Sequence, residues 1–237
     1  MAMVIVGTSG WSYPHWRGVF YPTELKSSEY LNHYCGHFST VEVNSTFYHL
    51  PRAKTVENWA ERTPDGFCFA VKGSRYITHR LKLRECQEPV NAFLERISPL
   101  KEKMAAVLWQ IPPSLHRDDS LLQDFLHLLP GDFRHVLEVR HDSWLDEDIF
   151  QLCRQAGVCF CSISLPKFPA VAVSTAPFGY VRMHGSTALY SSDYSEQELQ
   201  EWADRIRELG AKSDPIFVYF NNDVGGFAVK NAVRLRE

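Results

Sequence analysis

The sequence lacks long apolar runs and cysteines in Cys-x-x-Cys spacing. No stretch approaches the roughly 20 apolar residues that cross a bilayer, which argues against a membrane-spanning helix. Six cysteines occur in 237 residues, and none forms a Cys-x-x-Cys pair. No basic, apolar, small-residue leader opens the chain. We therefore expect a soluble, cytoplasmic protein with reduced thiols, without a disulfide framework or a membrane partner.

An excess of charge of one sign is also missing. Lys and Arg number 25 against 28 Asp and Glu, a formal charge of −3 with the ten His neutral. A strongly basic protein is excluded, so any attraction to nucleic acid must come from a local patch. The hydrophobic share of 45% suits one large core and excludes a disordered chain.

Short β-branched or aromatic runs alternate with amphipathic segments along the chain, an order typical of strand–helix units and a parallel sheet. Eight strands are predicted, at Val4–Thr8, Thr40–Asn44, Phe67–Lys72, Ala105–Ile111, His135–Arg140, Val158–Ile163, Gly179–His184 and Ile216–Asn221. Seven helices are predicted, at about Leu25–Cys35, Lys54–Arg62, Cys86–Lys103, Asp119–Leu128, Asp146–Gln155, Glu196–Leu209 and Gly226–Leu235. Asp119 and Ser195 are predicted as capping residues, and the sixth interval has no predicted helix.

Eight such units in 237 residues favour an α/β fold of the (β/α)8 TIM type, for which roughly 250 residues is typical. A doubly wound open sheet usually has fewer strands. We predict that residues 1–237 form a single TIM-barrel-like domain, irregular around the sixth unit. The connections after predicted strands one, three, six and seven are long, so they should meet on the carboxyl-terminal face, where active sites of this fold lie.

Polar residues two apart end several predicted strands, and this spacing turns both members of a pair into the barrel mouth. These residues are Glu42 and Asn44, Glu138 and Arg140, and Arg182 and His184, with Lys72, Gln110 and Asn221 ending three other strands. Charges inside a barrel must pair with one another or bind a ligand. The sequence thus leaves two interpretations open: a ligand site, or an internal salt-bridge network.

Two glycine-containing loops follow the seventh and eighth predicted strands, at His184–Ser186 and Asn221–Gly226. Loops at these positions often bind phosphate through backbone amides at a helix N-terminus, and Arg182 lies close by in sequence. Gly225 is therefore a candidate anion contact. Alternatively, the glycines only permit a tight turn and Asp223 caps the helix.

Aromatic and cationic side chains are concentrated in two other loops. The loop Ser9–Pro22 holds five aromatic residues, and we expect two of these rings to be exposed. The loop after the third strand adds Ser74, Arg75, Tyr76, His79, Arg80 and Lys82. Stacking and cation–π attraction suit sugars, bases or nucleotides, so Trp11 and Tyr76 are candidate substrate contacts.

A divalent metal is another candidate occupant of the barrel mouth. The residues that could converge on it are Glu42, Glu138, His141, His184 and Asp223. However, no His-x-x-x-His spacing occurs, and Lys72, Arg140 and Arg182 would oppose a divalent ion. We therefore predict no specific cofactor, and binding of a divalent metal stays an open alternative.

Seven short motifs lie in order along the chain: Gly7–Trp11 with Phe20–Pro22, Glu42–Tyr48, Phe69–Lys72, Gln110–Pro113, Glu138–Trp144, Tyr180–Gly185 and Tyr219–Asn222. Together they resemble the domain of unknown function 72 family, the YecE-like proteins. The resemblance runs nearly end to end and implies a barrel. It supports the positions Glu42, Asn44, Lys72, Glu138, Arg140, His141, Arg182, His184 and Asn221. The family has no established reaction, and endonuclease IV and xylose isomerase are analogies at the level of fold only.

The leading hypothesis is an enzyme acting on a small phosphate- or carboxylate-bearing substrate. In this hypothesis Lys72, Arg140 and Arg182 hold the anion, Glu42 or Glu138 is the general base, and His184 or His141 donates a proton. Trp11, Asn44, Tyr76, Asn221 and Gly225 would contact the rest of the substrate. We expect Glu138→Gln to abolish turnover and to spare folding.

Hydrolysis of a phosphoester is the first reaction class to test, followed by a lyase or isomerase acting on a sugar derivative. The main alternative is a non-catalytic nucleic-acid-binding or adaptor protein that uses Arg75, Arg80, Lys82 and Trp11. A third interpretation is a structural ion ring whose face docks a protein partner. The sequence does not identify that partner.

Overall fold

The computed structural model describes residues 2–237, and within that range nine parallel strands form one sheet. The strands are β1 Val4–Ser9, β2 Thr40–Val43, β3 Cys68–Lys72, β4 Met104–Gln110, β5 His135–Glu138, β6 Cys159–Phe160, β7 Ser162–Ser164, β8 Gly179–Met183 and β9 Ile216–Phe220. Their order in the sheet is β6-β5-β4-β3-β2-β1-β9-β8-β7. Because β6 and β7 are separated by a single residue of the chain, the two edges of this sheet meet and the barrel is nearly closed.

Helices alternate with these strands. They are α1 Tyr30–Cys35, α2 Ser45–Tyr48, α3 Ala53–Glu61, α4 Gln87–Ile97, α5 Asp119–His127, α6 Glu147–Ala156, α7 Glu196–Gly210 and α8 Phe227–Arg236. All except α2 match predicted helices. The side chain of Ser195 caps α7 as predicted, whereas the cap of α5 is Asp118, one residue before the predicted Asp119.

The prediction of a TIM-type barrel with an irregular sixth unit is confirmed. The predicted strand Val158–Ile163 is split at Cys161 into β6, which pairs with β5, and β7, which pairs with β8. Residues 165–178 join β7 to β8 without a helix. The sixth unit therefore completes the barrel but adds no helix to its outer layer.

The buried apolar side chains form two clusters, one inside the barrel and one in the layer between the sheet and the helices. On β3, Phe69 and Val71 belong to the outer cluster and Ala70 to the inner one. Successive side chains of a strand point to opposite faces, so Lys72, two residues after Ala70, is directed inward at the carboxyl end of β3. The same alternation turns Glu42, Glu138 and Arg182 into the barrel.

All six cysteines are unpaired thiols, four of them buried. Within residues 2–237, no helix combines the length and the apolarity needed to span a membrane.

Candidate functional site

Long connections leave the carboxyl ends of the strands, as predicted. Residues 10–29 separate β1 from α1, residues 73–86 separate β3 from α4, and residues 184–195 separate β8 from α7. In contrast, Gly157 and Val158 alone join α6 to β6, and Gly157 adopts the left-handed backbone that ends α6. The long loops therefore surround one mouth of the barrel.

Five predicted residues meet at this mouth in what we call the ion cluster: Glu42, Glu138, Arg140, Arg182 and His184. Arg182 bridges both carboxylates, with Nη2 2.6 Å from Glu42 Oε1 and Nη1 2.5 Å from Glu138 Oε2. Arg140 Nε donates to Glu138 Oε1. The side chains of Glu42, Glu138 and Arg182 are 0% exposed. The salt-bridge interpretation is thus correct for these four charges, which balance one another.

Two residues that the sequence analysis missed complete the surroundings of Glu42. The hydroxyls of Ser9 and Tyr180 each donate to a carboxylate oxygen of Glu42 at 2.6 Å. Tyr180 lies two residues before Arg182 on β8, so the alternation that identified Arg182 also identifies Tyr180. With Arg182, these hydroxyls give Glu42 three donors in a site closed to water.

Opposing effects act on the charges of the ion cluster. Burial by itself raises the pKa of Glu138, but Arg140 and Arg182 outweigh it and hold that pKa well below its ordinary value. For Arg182, burial lowers the pKa, but Glu138 and Glu42 outweigh it and raise the pKa well above the ordinary value. Both groups are therefore firmly ionised, and Glu138 is a weak base.

His184 lies beside the charged groups as a neutral imidazole. Burial lowers its pKa well below the ordinary value, and Arg140 and Arg182 lower it further. Arg140 Nη2 lies 2.9 Å from His184 Nε2, and because a guanidinium only donates, Nε2 must accept. Nδ2 of Asn221 lies 3.1 Å from His184 Nδ1, and Glu138 Oε1 lies 3.4 Å from Nε2, so both ring nitrogens have polar neighbours. Asn221 therefore orients His184.

Lys72 lies next to the ion cluster but outside its hydrogen bonds. No carboxylate of residues 2–237 comes within 4.0 Å of its Nζ, and no described residue bonds to it there. Burial lowers the pKa of Lys72 to about 7, with a further contribution from Arg182. Lys72 thus titrates near neutral pH, beside charges that are already paired.

Two residues of the short helix α2 contact Lys72. The hydroxyl of Thr46 donates to the Lys72 carbonyl at 2.6 Å, and Nζ lies 4.1 Å from the centre of the Phe47 ring. The next residue, Gly73, has no room for a side chain, because a Cβ would lie 2.4 Å from the Trp109 ring. Sequence reasoning missed Phe47, since no pattern links it to a residue on another strand.

The loop after β3 has an unusual backbone. Tyr76–Arg80 form a π-helix, and Lys82, Leu83 and Glu85 have positive φ values of 51°, 67° and 45°. Strained backbone of this kind clusters at functional sites. A cleft of about 430 Å³ opens here, lined by Tyr48, Ser74, Arg75, Tyr76, His79 and Arg80.

This cleft adjoins Lys72 through Phe47 and His79. The His79 ring meets Phe47 edge to face at 4.9 Å between centres, and Arg75 lies 6.0 Å from the same ring. Burial lowers the pKa of His79 to about 4, and Lys72, Arg75 and Arg140 lower it too. His79 is therefore neutral within a group of cations.

Three other predicted residues make no hydrogen bond or ion pair with the ion cluster within residues 2–237. The half-buried Trp11 packs edge to face on Trp59 at 5.9 Å. His141 stacks on His116 at 3.9 Å and bonds to Ser143. Asn44 follows β2, and its buried side-chain oxygen has no hydrogen-bond partner in the described chain. Asn44 directly follows β2, which carries Glu42, and His141 directly follows Arg140 after β5.

The exposed rings expected in the first loop are not found. Trp16 and Tyr21 are buried, whereas Trp11, Tyr13 and Phe20 are half-buried. Tyr21 stacks on Tyr30, with ring centres 3.9 Å apart. These rings form a small core that anchors the loop to α1. Tyr76, in the other loop, is 45% exposed in the cleft.

The glycine turn before α8 is mostly bonded within itself. The amides of Gly226, Phe227 and Ala228 donate to the carbonyls of Asp223, Val224 and Asn222. Gly225 is exposed and has φ 69°, which explains the glycine. Three of the amides expected to hold an anion are thus already used. Asp223 makes no side-chain cap, so neither prediction for its side chain finds support there.

Of the residues proposed for a divalent metal, Glu42, Glu138 and His184 lie in the ion cluster, whereas His141 and Asp223 make no bond to it within residues 2–237. Over residues 2–237, no three His, Cys, Asp or Glu side chains are arranged to hold an ion. The donor set also fits poorly, because Arg182 occupies one oxygen of each carboxylate. We therefore assign no metal ligands.

The fold and the ion cluster define a TIM-type barrel protein with buried, paired charges at its carboxyl-terminal mouth. The family model described as "Protein of unknown function DUF72" matches residues 5–237. The chain belongs to this family, which confirms the resemblance of its motifs.

Relatives of known sequence and structure agree with this assignment. UPF0759 protein YecE of Escherichia coli (strain K12) is 36% identical, over 94% of this chain and 88% of that protein. UPF0759 protein YunF of Bacillus subtilis (strain 168) is 26% identical, over 99% of this chain and 94% of that protein. The crystal structure of a DUF72 family protein from Thermotoga maritima has a TM-score of 0.88 and 32% identity, covering 99% of this chain and 98% of that one. These names specify neither a reaction nor a substrate.

Proposed function

We propose that this protein is an enzyme whose substrate carries a phosphate or carboxylate group and binds at the barrel mouth. The observation that carries the proposal is the unpaired amine of Lys72. Glu42 and Glu138 are already balanced by Arg140 and Arg182, so protonated Lys72 is a cation in excess. A partly buried cation without a partner is unfavourable, and an anionic ligand would relieve it.

Lys72 and Arg140 are the groups that we assign to the anion. Both are partly exposed, whereas Arg182 is closed to solvent and has both terminal nitrogens bonded to carboxylates. We therefore change the predicted role of Arg182 from substrate contact to support for Glu42 and Glu138. The cleft beside Phe47 would receive the organic part of the substrate, with Tyr76 in contact.

The acid–base roles also move to Lys72. A group whose pKa lies near the working pH is the best proton carrier, and Lys72 has a pKa of about 7. Glu138 binds protons too weakly to act as a general base, and neutral His184 is not an imidazolium donor. With a phosphoester substrate, Lys72 would hold a phosphoryl oxygen and protonate the leaving oxygen. Phosphoester hydrolysis therefore remains the first reaction class to test.

Calorimetric titration with inorganic phosphate and a phosphoester panel tests the proposal. We expect millimolar or tighter binding that weakens at least about tenfold in Lys72→Met, the loss of one charge-assisted contact. Lys101→Met is the matched control, because Lys101 is exposed and pairs with Asp132 at 2.8 Å on the surface. Equal binding by both variants, or none by the parent protein, would refute the anion site.

A nucleic acid fragment is the second candidate ligand. The guanidinium of Arg80 lies 5.6 Å from the Tyr76 ring in the cleft that also contains Arg75. A base could stack on Tyr76 while the two arginines contact phosphates. This alternative predicts binding of a short single strand that weakens steeply with salt and is lost in Arg80→Ala. Binding insensitive to salt would count against it.

We also propose a reducing, cytoplasmic location. Cys159 and Cys161 lie two residues apart in the barrel interior, and both remain thiols. Cell fractionation with thiol labelling tests this, since recovery of the protein in a secreted or membrane fraction would contradict it.

A further inference from the structure

We propose that Lys72 is a nucleophile that forms an imine with a substrate that is a ketone or an aldehyde. The inference rests on the proposed anion site and adds the second functional group of the substrate. The substrate class is then a small carbonyl compound that carries a carboxylate or a phosphate.

Lys72 differs from the lysines of this chain that have structural partners. Lys101 and Lys230 pair with aspartates at 2.8 and 2.5 Å, and Lys103 donates to the Thr63 carbonyl at 2.6 Å. The Nζ of Lys72 has neither kind of partner among residues 2–237. It lies over the face of the Phe47 ring, 4.1 Å from the ring centre, which is a cation–π contact when the amine is charged. A lysine without a carboxylate, on an apolar support at the mouth of a barrel, is placed to react.

The surroundings also favour the neutral, nucleophilic form of the amine. Burial and the positive charge of Arg182 lower the pKa of Lys72 to about 7, so much of it is unprotonated near neutral pH. An exposed lysine with a pKa of about 10.4 is almost wholly protonated there. The two carboxylates that could raise the pKa of Lys72 are held by Arg140 and Arg182. The ion cluster thus keeps Lys72 from forming an ion pair.

The chemical step needs no oxidant or reductant, and it releases one molecule of water. The lone pair of Lys72 Nζ attacks the carbonyl carbon, an N–C bond forms, and the carbonyl oxygen gains a proton to give a carbinolamine. Nζ loses a proton, and the hydroxyl leaves as water when a second proton reaches it from solvent. The resulting protonated imine withdraws electrons from the neighbouring carbon, which suits lyase or isomerase chemistry. Hydrolysis of the imine returns the free amine.

Borohydride trapping tests the proposal on the full chain. The protein is incubated at pH 7.5 with pyruvate, a ketone with a carboxylate, or with dihydroxyacetone phosphate, a ketone with a phosphate. Sodium cyanoborohydride then reduces any imine to a stable secondary amine. We expect one adduct per chain by intact mass, with the peptide containing residue 72 labelled at least about tenfold more than any other lysine peptide. The more reactive probe shows which anion the site prefers.

Two variants control the experiment. Lys72→Arg keeps the positive charge but removes the nucleophile, so it should lose the adduct and still bind inorganic phosphate. Lys101→Met should label as the parent protein does. An adduct retained in Lys72→Arg, or labelling spread over the exposed lysines, would overturn the imine. If the parent protein binds phosphate through Lys72 but forms no adduct, only the imine proposal is overturned. If the parent protein neither binds phosphate nor forms an adduct, the proposed function is overturned as well.

Discussion

Arg182 is the residue on which the buried charges depend. Its guanidinium contacts both Glu42 and Glu138 with no exposure to solvent. Removing one partner of a buried ion pair leaves an uncompensated charge. We therefore expect Arg182→Met to lower the free energy of unfolding by about 3–5 kcal/mol in chemical denaturation. The surface pair Arg154–Glu147 supplies the control, and Arg154→Met should cost less than about 1 kcal/mol. Equal losses of unfolding free energy in the two variants would contradict the role of Arg182 in balancing buried charges.

Glu138→Gln is a second case in which the structure changes the expectation. The sequence suggested that this variant would fold normally. Glu138 balances Arg140 and Arg182, however, so the amide would leave Arg182 with Glu42 alone and Arg140 without a carboxylate partner. We expect a loss of about 2–4 kcal/mol by the same assay. A variant as stable as the parent protein would show that these charges are not coupled.

Lys72→Met should stabilise the protein in a way that depends on pH. The folded pKa of Lys72, about 7, lies below the unfolded value near 10.4. Between these values the unfolded state binds more protons, so the stability of the parent protein rises with pH. The variant lacks this titration. Its melting temperature should therefore exceed that of the parent protein by several degrees at pH 6, and the difference should shrink by pH 10. A difference independent of pH would contradict the burial of an unpaired amine.

At the scale of single residues, the sequence predicts position better than role. The period of two along the strands correctly brought Glu42, Glu138 and Arg182 together at one mouth. It could not predict which cation takes which carboxylate, because that choice depends on side-chain geometry across different strands. For that reason the sequence could not show that Arg182 is paired with both carboxylates whereas Lys72 has no carboxylate partner within residues 2–237.

Among the elements, the sixth unit has the shortest strands of the barrel. Its strand is divided into β6, with two residues, and β7, with three, and no helix follows it. Few backbone hydrogen bonds and no covering helix predict low local stability. Hydrogen exchange should therefore be faster in peptides covering residues 159–178 than in those covering β1 and β9. Equal protection of both regions from exchange would contradict the low local stability of the sixth unit.

Most elements follow from hydrophobic pattern, and the exceptions have local causes. Most strands and helices lie within two residues of the prediction because apolar periodicity decides which face is buried, but α1 begins five residues later and α4 ends six residues earlier than predicted. The break at Cys161 was not visible, since the predicted strand Val158–Ile163 contains no glycine or proline to mark it. The π-helix Tyr76–Arg80 depends on backbone hydrogen bonds that composition does not encode.

For the whole molecule, several buried groups make stability fall in acid. Burial lowers the pKa of His135 to about 4, and the pKa values of His184 and Glu138 are also depressed. Below about pH 6.5 these two histidines bind protons in the unfolded state but stay neutral in the folded state. The free energy of unfolding therefore decreases as pH falls. Glu138 adds to this loss as pH falls below about 4.3, the carboxyl's unfolded value.

This prediction can be measured by denaturation at pH 7.5 and pH 5. His135 alone should contribute a loss of about 2 kcal/mol between these values. His135→Gln should reduce the pH dependence by that amount, whereas His127→Gln, at an exposed position on α5, should leave it unchanged. A parent protein equally stable at both values would contradict the pKa directions.

The most direct test of the central claim, that Lys72 is the unpaired cation of an anion site, is proton uptake on binding. Sulfate does not titrate near neutral pH, so calorimetry at pH 8.0 in two buffers of different protonation enthalpy isolates protons taken up by the protein. Because Lys72 is largely neutral at that pH and would be charged beside a bound anion, we predict uptake of most of one proton per sulfate. Lys72→Met should take up none. Sulfate binding without proton uptake, or uptake that persists in Lys72→Met, would contradict the account.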